Sequence, residues 1–189
     1  MNRFSTKTQG VDLMDVEFSA IPFHLPDATS AAEDALAKAL EFAAVQTAAP
    51  STAAVLEAVR RGDTTAYQYT TYGLAHQLAE TLGSMDQNVT AVYLFDADAT
   101  IEDELFGEQP RNLSVHLIVQ VERKTKALAS LVNGLDRALA QTLAPLMSAP
   151  RLMHVLDAQI VDTTEVRQRI GYGALLSSLH HQALLVWQR

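Results

Sequence analysis

The chain of 189 residues contains no cysteine. This absence excludes a disulfide scaffold, a cysteine-based zinc site, an iron–sulfur cluster and a thiol nucleophile. The sequence also lacks internal repeats, Gly/Ser-rich linkers and low-complexity tracts. Its length therefore predicts one domain of ordinary size, or one domain with an appended helical segment.

Basic residues and long apolar runs are also scarce. There are 14 Lys and Arg against 22 Asp and Glu, a net charge of −8, which argues against a nucleic-acid binder that tracks phosphates. No window approaches the about 20 apolar residues that span a bilayer. Residues 1–18 lack the apolar core of a signal peptide. The composition predicts a soluble, cytoplasmic protein.

The N-terminal third is rich in alanine, and its pattern predicts two helices within residues 28–62. Ser30 and Glu33 have the spacing of a capping box, which predicts the start of the first helix. Pro50 ends that helix, and Gly62 ends the second. These helices carry modest apolar stripes, from which we predict a surface for homodimer formation.

The composition changes once along the chain. β-branched runs and most long apolar segments fall between residues 89 and 187. We therefore divide the chain into an N-terminal arm with a helical segment, residues 1–62, and an α+β domain, residues 63–189. Within residues 1–62, the arm is irregular or strand-like.

The domain has a succession of helical and strand-like periods. They predict a mixed sheet of about four strands, with the helices packed on one face. The predicted elements are a helix from Asp63 or Thr64 to Gly83, strands at 89–95 and 113–121, a helix at 124–147, a strand at 152–161, a helix at 163–180 and a strand at 183–187.

The second strand shows the clearest alternation. One face is apolar, and the opposite face is predicted to be largely exposed. The apolar positions are Leu113, Val115, Leu117, Val119 and Val121, and the opposite ones are Ser114, His116, Ile118 and Gln120.

Two carboxylates, Asp96 and Asp98, directly follow the first predicted strand. Carboxylates at i and i+2 beyond a buried strand can converge on one Mg²⁺, which prefers hard oxygen ligands. Strand ends are also where open α/β sheets place ligands. The same residues are equally typical of a loop in which Asp bonds its own backbone.

The string FDADATIEDE, residues 95–104, resembles the first motif of the haloacid dehalogenase superfamily. That motif is Asp-x-Asp-x-Thr after an apolar strand. The resemblance implies that Asp96 is a nucleophile and Asp98 a general acid in a Mg²⁺-dependent phosphatase.

A longer resemblance covers residues 65–187. The succession of a helix, AVYLF, a loop, SVHLIVQV, a long helix, HVLDAQIVD, a helix and ALLVW is similar to the nucleotidyltransferase superfamily. Members have a Gly-Ser pair after the first strand, an Asp-x-Asp on the second and a carboxylate on the third. Asp96-Ala97 stands here at the Gly-Ser position, Ser114 and His116 stand at the Asp-x-Asp positions, and Asp157 matches the third carboxylate.

These departures imply a degenerate member. Two-metal phosphoryl transfer requires anionic oxygen ligands, and a Ser with a neutral His supplies no negative charge. The resemblance therefore implies a non-catalytic, nucleotidyltransferase-like protein without a cofactor, acting by binding or assembly. The alternative is a Mg²⁺-dependent phosphoryl-transfer enzyme that binds a nucleotide or phosphate ester with Asp96, Asp98 and Asp157.

Two further features have more than one interpretation. His116 could ligate a metal, although a lone histidine is more often a hydrogen-bonded residue. Tyr67, Tyr69 and Tyr72 cannot all lie on one narrow face of the third helix, so at least one ring is predicted to be exposed.

Overall fold

The computed structural model describes residues 25–95, 113–178 and 183–189. They form an α+β structure around a mixed four-stranded sheet, as predicted. The helices are α1 (Leu25–Gln46), α2 (Thr52–Arg60), α3 (Thr64–Met85), α4 (Lys126–Leu146) and α5 (Thr163–Gln168), with a 3₁₀ helix at Gly171–Ser177; the strands are β1 (Val89–Leu94), β2 (Val115–Val121), β3 (Leu156–Asp162) and β4 (Leu184–Gln188).

The strand order across the sheet is β3-β2-β1-β4. Strand β1 is antiparallel to both of its neighbours, β2 and β4, and β2 is parallel to β3. Parallel neighbours need a crossover connection, and α4 provides it between β2 and β3.

The first face of the sheet packs against α3 and α4. The five alternating apolar residues from Leu113 to Val121 are each at most 1% exposed, as predicted. Leu74, Leu78 and Leu82 of α3 are fully buried against them. In α4 the buried stripe includes Leu143 but not Leu146, which is 44% exposed.

Helix α1 packs on α3 and α4 through small side chains. Its buried stripe contributes to the same hydrophobic core as the sheet, and it consists of Ala32, Ala35, Leu36, Ala39, Leu40 and Ala43. At Gly73 of α3 an added Cβ would lie 3.2 Å from the Ala39 Cα. The close approach of the two helices therefore depends on small residues in both.

The second face of the sheet is not open, contrary to the prediction for the polar side of β2. Ile118 is 1% exposed, and its neighbours on the same face, Ala91 and Val161, are each 3% exposed. The 3₁₀ helix packs on β3 and α5. The strand alternation therefore did not reveal that this face is buried at Ile118, Ala91 and Val161.

The predicted helix at 163–180 is wrong beyond its first turns. Asp162 and Glu165 form a capping box that starts α5, but Arg169 adopts a left-handed conformation (φ 55°) that ends it. The chain then folds back so closely that a Cβ at Gly173 would lie 2.6 Å from the Glu165 carbonyl oxygen. This close approach, which only glycine permits, replaces the continued helix by a 3₁₀ turn.

The start of α5 is joined to the end of β2 by an ion pair. The Lys124 Nζ lies 2.6 Å from the Glu165 Oε2. The hydrogen bond from Lys124, followed by that from the Asp162 backbone N–H, lowers the pKa of Glu165. The ionised form of Glu165 therefore stabilises both the N-terminal cap of α5 and the ion pair with Lys124.

Two predicted helix ends also differ. Ser30 lies inside α1, which starts at Leu25, so Ser30 and Glu33 do not form the predicted cap. Gly83 lies inside α3, which continues to Met85, because Gly83 is in contact with the Trp187 ring rather than in a turn. Within the described residues, no helix is both long and apolar enough to cross a membrane.

The C-terminal residues fix β4 to α3. The Arg189 guanidinium donates hydrogen bonds to the carbonyl oxygens of Gly83 and Gln87, at the end of α3 where the helix dipole favours a cation. A Cβ at Gly83 would lie 2.2 Å from the Trp187 Cζ2. No real side chain tolerates this contact, so the α3–β4 packing depends on glycine.

We expect Gly83→Ala to lower the free energy of unfolding by about 2 kcal/mol, because overpacking costs about 1–3 kcal/mol and outweighs the helix propensity gained. Urea denaturation followed by circular dichroism measures this change. Ser84→Ala, at the exposed neighbouring position, is the control and should change stability by less than about 0.5 kcal/mol. Equal stability of Gly83→Ala and the native protein would contradict the α3–β4 contact.

Candidate functional site

A small cavity lies where the end of β1, the start of β2 and the first turns of α3 meet. Its volume is about 150 Å³. It is lined by Tyr67, Gln68, Thr71, Leu94, Phe95, Ser114 and His116. Most of these side chains carry hydrogen-bonding groups, whereas Leu94 and Phe95 supply an apolar wall.

The strand pairing brings these residues together. Leu94 pairs with Leu117, and the Phe95 backbone N–H donates to the His116 carbonyl oxygen at 2.8 Å. Alternation along β2 then directs Ser114 and His116 to the side opposite Leu117. The cavity is therefore bounded by paired backbone rather than by side chains alone.

A series of hydrogen bonds runs from the cavity across the sheet. The Ser114 Oγ lies 3.0 Å from the His116 Nε2. The His116 Nδ1 lies 3.4 Å from the Asp157 Oδ2, and the Gln159 Nε2 donates to the Asp157 Oδ1 at 2.7 Å. Both nitrogens of the imidazole are thus engaged, one by a hydroxyl and one by a carboxylate.

The tautomer of His116 follows from its partners. An ionised carboxylate only accepts hydrogen bonds, so Nδ1 must carry the proton that faces Asp157. In a neutral imidazole the other nitrogen, Nε2, is then an acceptor, and the Ser114 hydroxyl donates to it. The Ser114 hydroxyl is therefore the donor in this pair.

Asp157 is positioned by the parallel pairing of β3 with β2. His116 and Asp157 are direct partners in the register of the two strands. Asp136 of α4 fixes the start of β3, because its Oδ1 accepts from the backbone N–H groups of Val155 at 2.8 Å and Leu156 at 2.9 Å. The Asp157 side chain is 52% exposed, so water screens its charge.

Thr71 of α3 adds an unusual group to the cavity wall. Among the residues that the structure describes, its Oγ1 is the one buried side-chain oxygen or nitrogen without a hydrogen-bond partner. The adjacent Thr70 differs, since its Oγ1 donates to the Ala66 carbonyl oxygen at 2.7 Å. An unpaired buried hydroxyl costs free energy, so the Thr71 hydroxyl destabilises the native fold.

The sequence-predicted carboxylates separate into two groups. Asp157 lies beside His116 as described, whereas Asp96 and Asp98 lie outside the described residues. In the described parts of the chain, no group of three His, Asp or Glu side chains is arranged to hold a metal ion.

The ring of Tyr72 is exposed, as expected for at least one of the three tyrosines, and it contacts Phe42 of α1.

A larger cavity of about 280 Å³ lies on the surface between α1 and α3. It is bordered by Lys38, Phe42, Tyr72, Gly73, His76 and Gln77. Lys38 is paired with Asp34 at 2.7 Å, and both side chains are more than half exposed. The smaller cavity is the better candidate because Ser114 and His116, which line it, belong to the series of hydrogen bonds that reaches Asp157.

Sequence reasoning did not connect Ser114, His116 and Asp157 to one another by hydrogen bonds, and it did not identify Thr71 or Gln159. The available signal was the i, i+2 spacing of Ser114 and His116 on one strand face. The missing information was the register of β3, which the sequence does not contain.

Comparisons of the chain with models of protein families, with curated proteins and with solved structures returned no match.

We expect Thr71→Val to raise the free energy of unfolding by about 1 kcal/mol, because a methyl group replaces a buried hydroxyl that has no partner. Thr70→Val is the matched control: it is the neighbouring β-branched residue, and it should lose about 1 kcal/mol with its hydrogen bond. Chemical denaturation of both variants gives the comparison. A loss of stability in Thr71→Val would show that its hydroxyl is already hydrogen-bonded, for example by water.

Proposed function

We propose that this chain is a nucleotidyltransferase-like protein that is non-catalytic in nucleotidyl and phosphoryl transfer and acts by binding. The proposal rests on which residues stand at three positions. Ser114 and His116 lie beside β3, and Asp157 lies opposite His116. In the resemblance to the superfamily, these are the positions of the three metal-binding carboxylates.

The charges at these positions support the proposal. Only Asp157 is anionic, and both of its oxygens already have partners, in His116 and Gln159. A pair of Mg²⁺ ions that clamps phosphates needs several anionic oxygens directed at one point. The cavity beside Ser114 remains suited to a small ligand that is bound without a metal.

The phosphoryl-transfer alternative rests on Asp96 and Asp98 together with Asp157. Phe95, which lines the cavity, directly precedes Asp96 in the chain. If Asp96 and Asp98 bind Mg²⁺, binding of a nucleotide or phosphate ester should require added metal and should be lost when either carboxylate is replaced. This dependence separates the two proposals experimentally.

We expect no thermal shift with Mg²⁺ or Mn²⁺ plus a panel of nucleoside triphosphates and phosphate esters. For comparison, a ligand at one hundred times its dissociation constant stabilises a fold by about 2.7 kcal/mol, or about 5–10 °C for a chain of this size. The same series on Asp96→Asn and Asp157→Asn is the control. A metal-dependent shift that either substitution abolishes would contradict the non-catalytic proposal and favour the enzyme.

Assembly into a homodimer is a second proposal, with a different surface from the predicted one. The apolar stripe of α1 is buried inside the chain, so it does not offer a dimer surface. Among the described residues, no strand pairs with the outer edge of β4. That strand carries no charged residue, and its Leu184 and Leu185 are 53% and 46% exposed. An apolar edge strand of this kind favours pairing with a second copy.

We expect the native chain to elute with twice its monomer mass in size-exclusion chromatography with light scattering, and Leu185→Lys to elute as a monomer. The physical reason is that a charge on an edge strand opposes strand pairing. Leu146→Lys, an exposed leucine at the end of α4, is the matched control and should remain dimeric. A monomeric native chain at micromolar concentration would remove the dimer proposal.

A further inference from the structure

We propose that Ser114 is a nucleophile activated by His116, and that it accepts acyl groups from small esters seated in the adjacent cavity. This inference goes beyond the proposed binding function, because it adds a chemical step that needs no metal. It rests on the geometry of Ser114, His116 and Asp157 together with the adjacent cavity.

The geometry meets the first requirement for an activated serine, which is a base within hydrogen-bond reach. The Ser114 Oγ lies 3.0 Å from the His116 Nε2, inside the range in which a general base removes a proton. The tautomer derived above leaves this nitrogen as the acceptor. The serine hydroxyl is therefore already directed at the atom that would receive its proton.

The second requirement is a group that orients the base. The Asp157 Oδ2 faces the His116 Nδ1 at 3.4 Å, and Gln159 holds the other carboxylate oxygen at 2.7 Å. Asp157 would also stabilise the imidazolium that forms when His116 takes a proton. Because His116 and Asp157 lie on paired strands, their relative position is set by backbone hydrogen bonds.

The third requirement is space for the substrate beside the serine. Ser114 and His116 line the cavity of about 150 Å³, which is below the roughly 300–1,000 Å³ of sites for drug-sized ligands. The apolar wall of Leu94 and Phe95 suits a short acyl chain. Thr71 of α3 also borders this cavity.

The proposed reaction balances without a cofactor. The Ser114 oxygen bonds to the ester carbonyl carbon while its proton passes to the His116 Nε2. The bond from that carbon to the alcohol oxygen then breaks, and the alcohol leaves with the proton from His116. Water hydrolyses the acyl-serine by the same transfers in reverse, so that one ester and one water give one acid and one alcohol.

The experiment treats the folded chain with a fluorophosphonate, which forms a covalent adduct with activated serines, and locates the adduct by peptide mass spectrometry. We expect one adduct, on Ser114, and none when the chain is unfolded in urea. His116→Gln should slow labelling by about 100-fold or more, the usual contribution of a general base. Ser177→Ala, which removes an exposed serine of the 3₁₀ helix, should leave labelling unchanged.

Asp157 acts as a positioning residue, and a separate comparison tests it. Asp157→Asn should slow labelling of Ser114, and Asp157→Glu should restore part of the rate, while thermal midpoints identify any variant that fails to fold. Hydrolysis of p-nitrophenyl acetate should fall in Ser114→Ala in parallel with labelling.

Two results would overturn the inference: no adduct on Ser114 of the folded native chain, or an adduct there whose rate His116→Gln does not change. An adduct found only on a residue other than Ser114 would overturn the inference in the same way. The metal and nucleotide titrations do not depend on the reactivity of Ser114, so the proposed function and this inference can fail separately.

Discussion

The register of β2 against β3 is the constraint on which both the core and the candidate site depend. Successive side chains of a strand point to opposite faces, so a slip of one residue would exchange every inward and outward position. Such a slip would turn Val115, Leu117 and Val119 away from α3 and α4. It would also separate His116 from Asp157, its direct partner across the two strands. The burial of one face therefore fixes the polar contacts on the other.

The elements around the sheet hold this register from several sides. Asp136 of α4 binds the backbone at the start of β3, and the ion pair of Lys124 and Glu165 joins the opposite end of β2 to α5. At the β4 edge of the sheet, the contact of Trp187 with Gly83 fixes β4 to α3. Each of these contacts joins residues that are distant in sequence. Together they keep the cavity walls, which come from α3, β1 and β2, in one arrangement.

Local pattern predicted most of the elements and missed where several of them end. The alternation from Leu113 to Val121 and the leucines of α3 gave the correct buried faces, because burial of one face imposes its period on the sequence. Gly83 was misleading because it permits a close contact with Trp187, whereas sequence patterns interpret a glycine at that place as a helix end. Ser30 had the correct spacing for a cap, but α1 starts before it.

The candidate site, like the fold, could be predicted from the sequence only in part. The sequence by itself determined that Ser114 and His116 share one face of a strand, since their spacing is i, i+2 and the strand period is two. It also determined that a metal site at these positions would be short of negative charge. Only the tertiary structure decided that Asp157 and Gln159 extend this pair and that Thr71 of α3 borders the same cavity. The physical reason is that contacts between strands and across layers depend on register and packing, which are properties of the whole fold and are not encoded in any local segment.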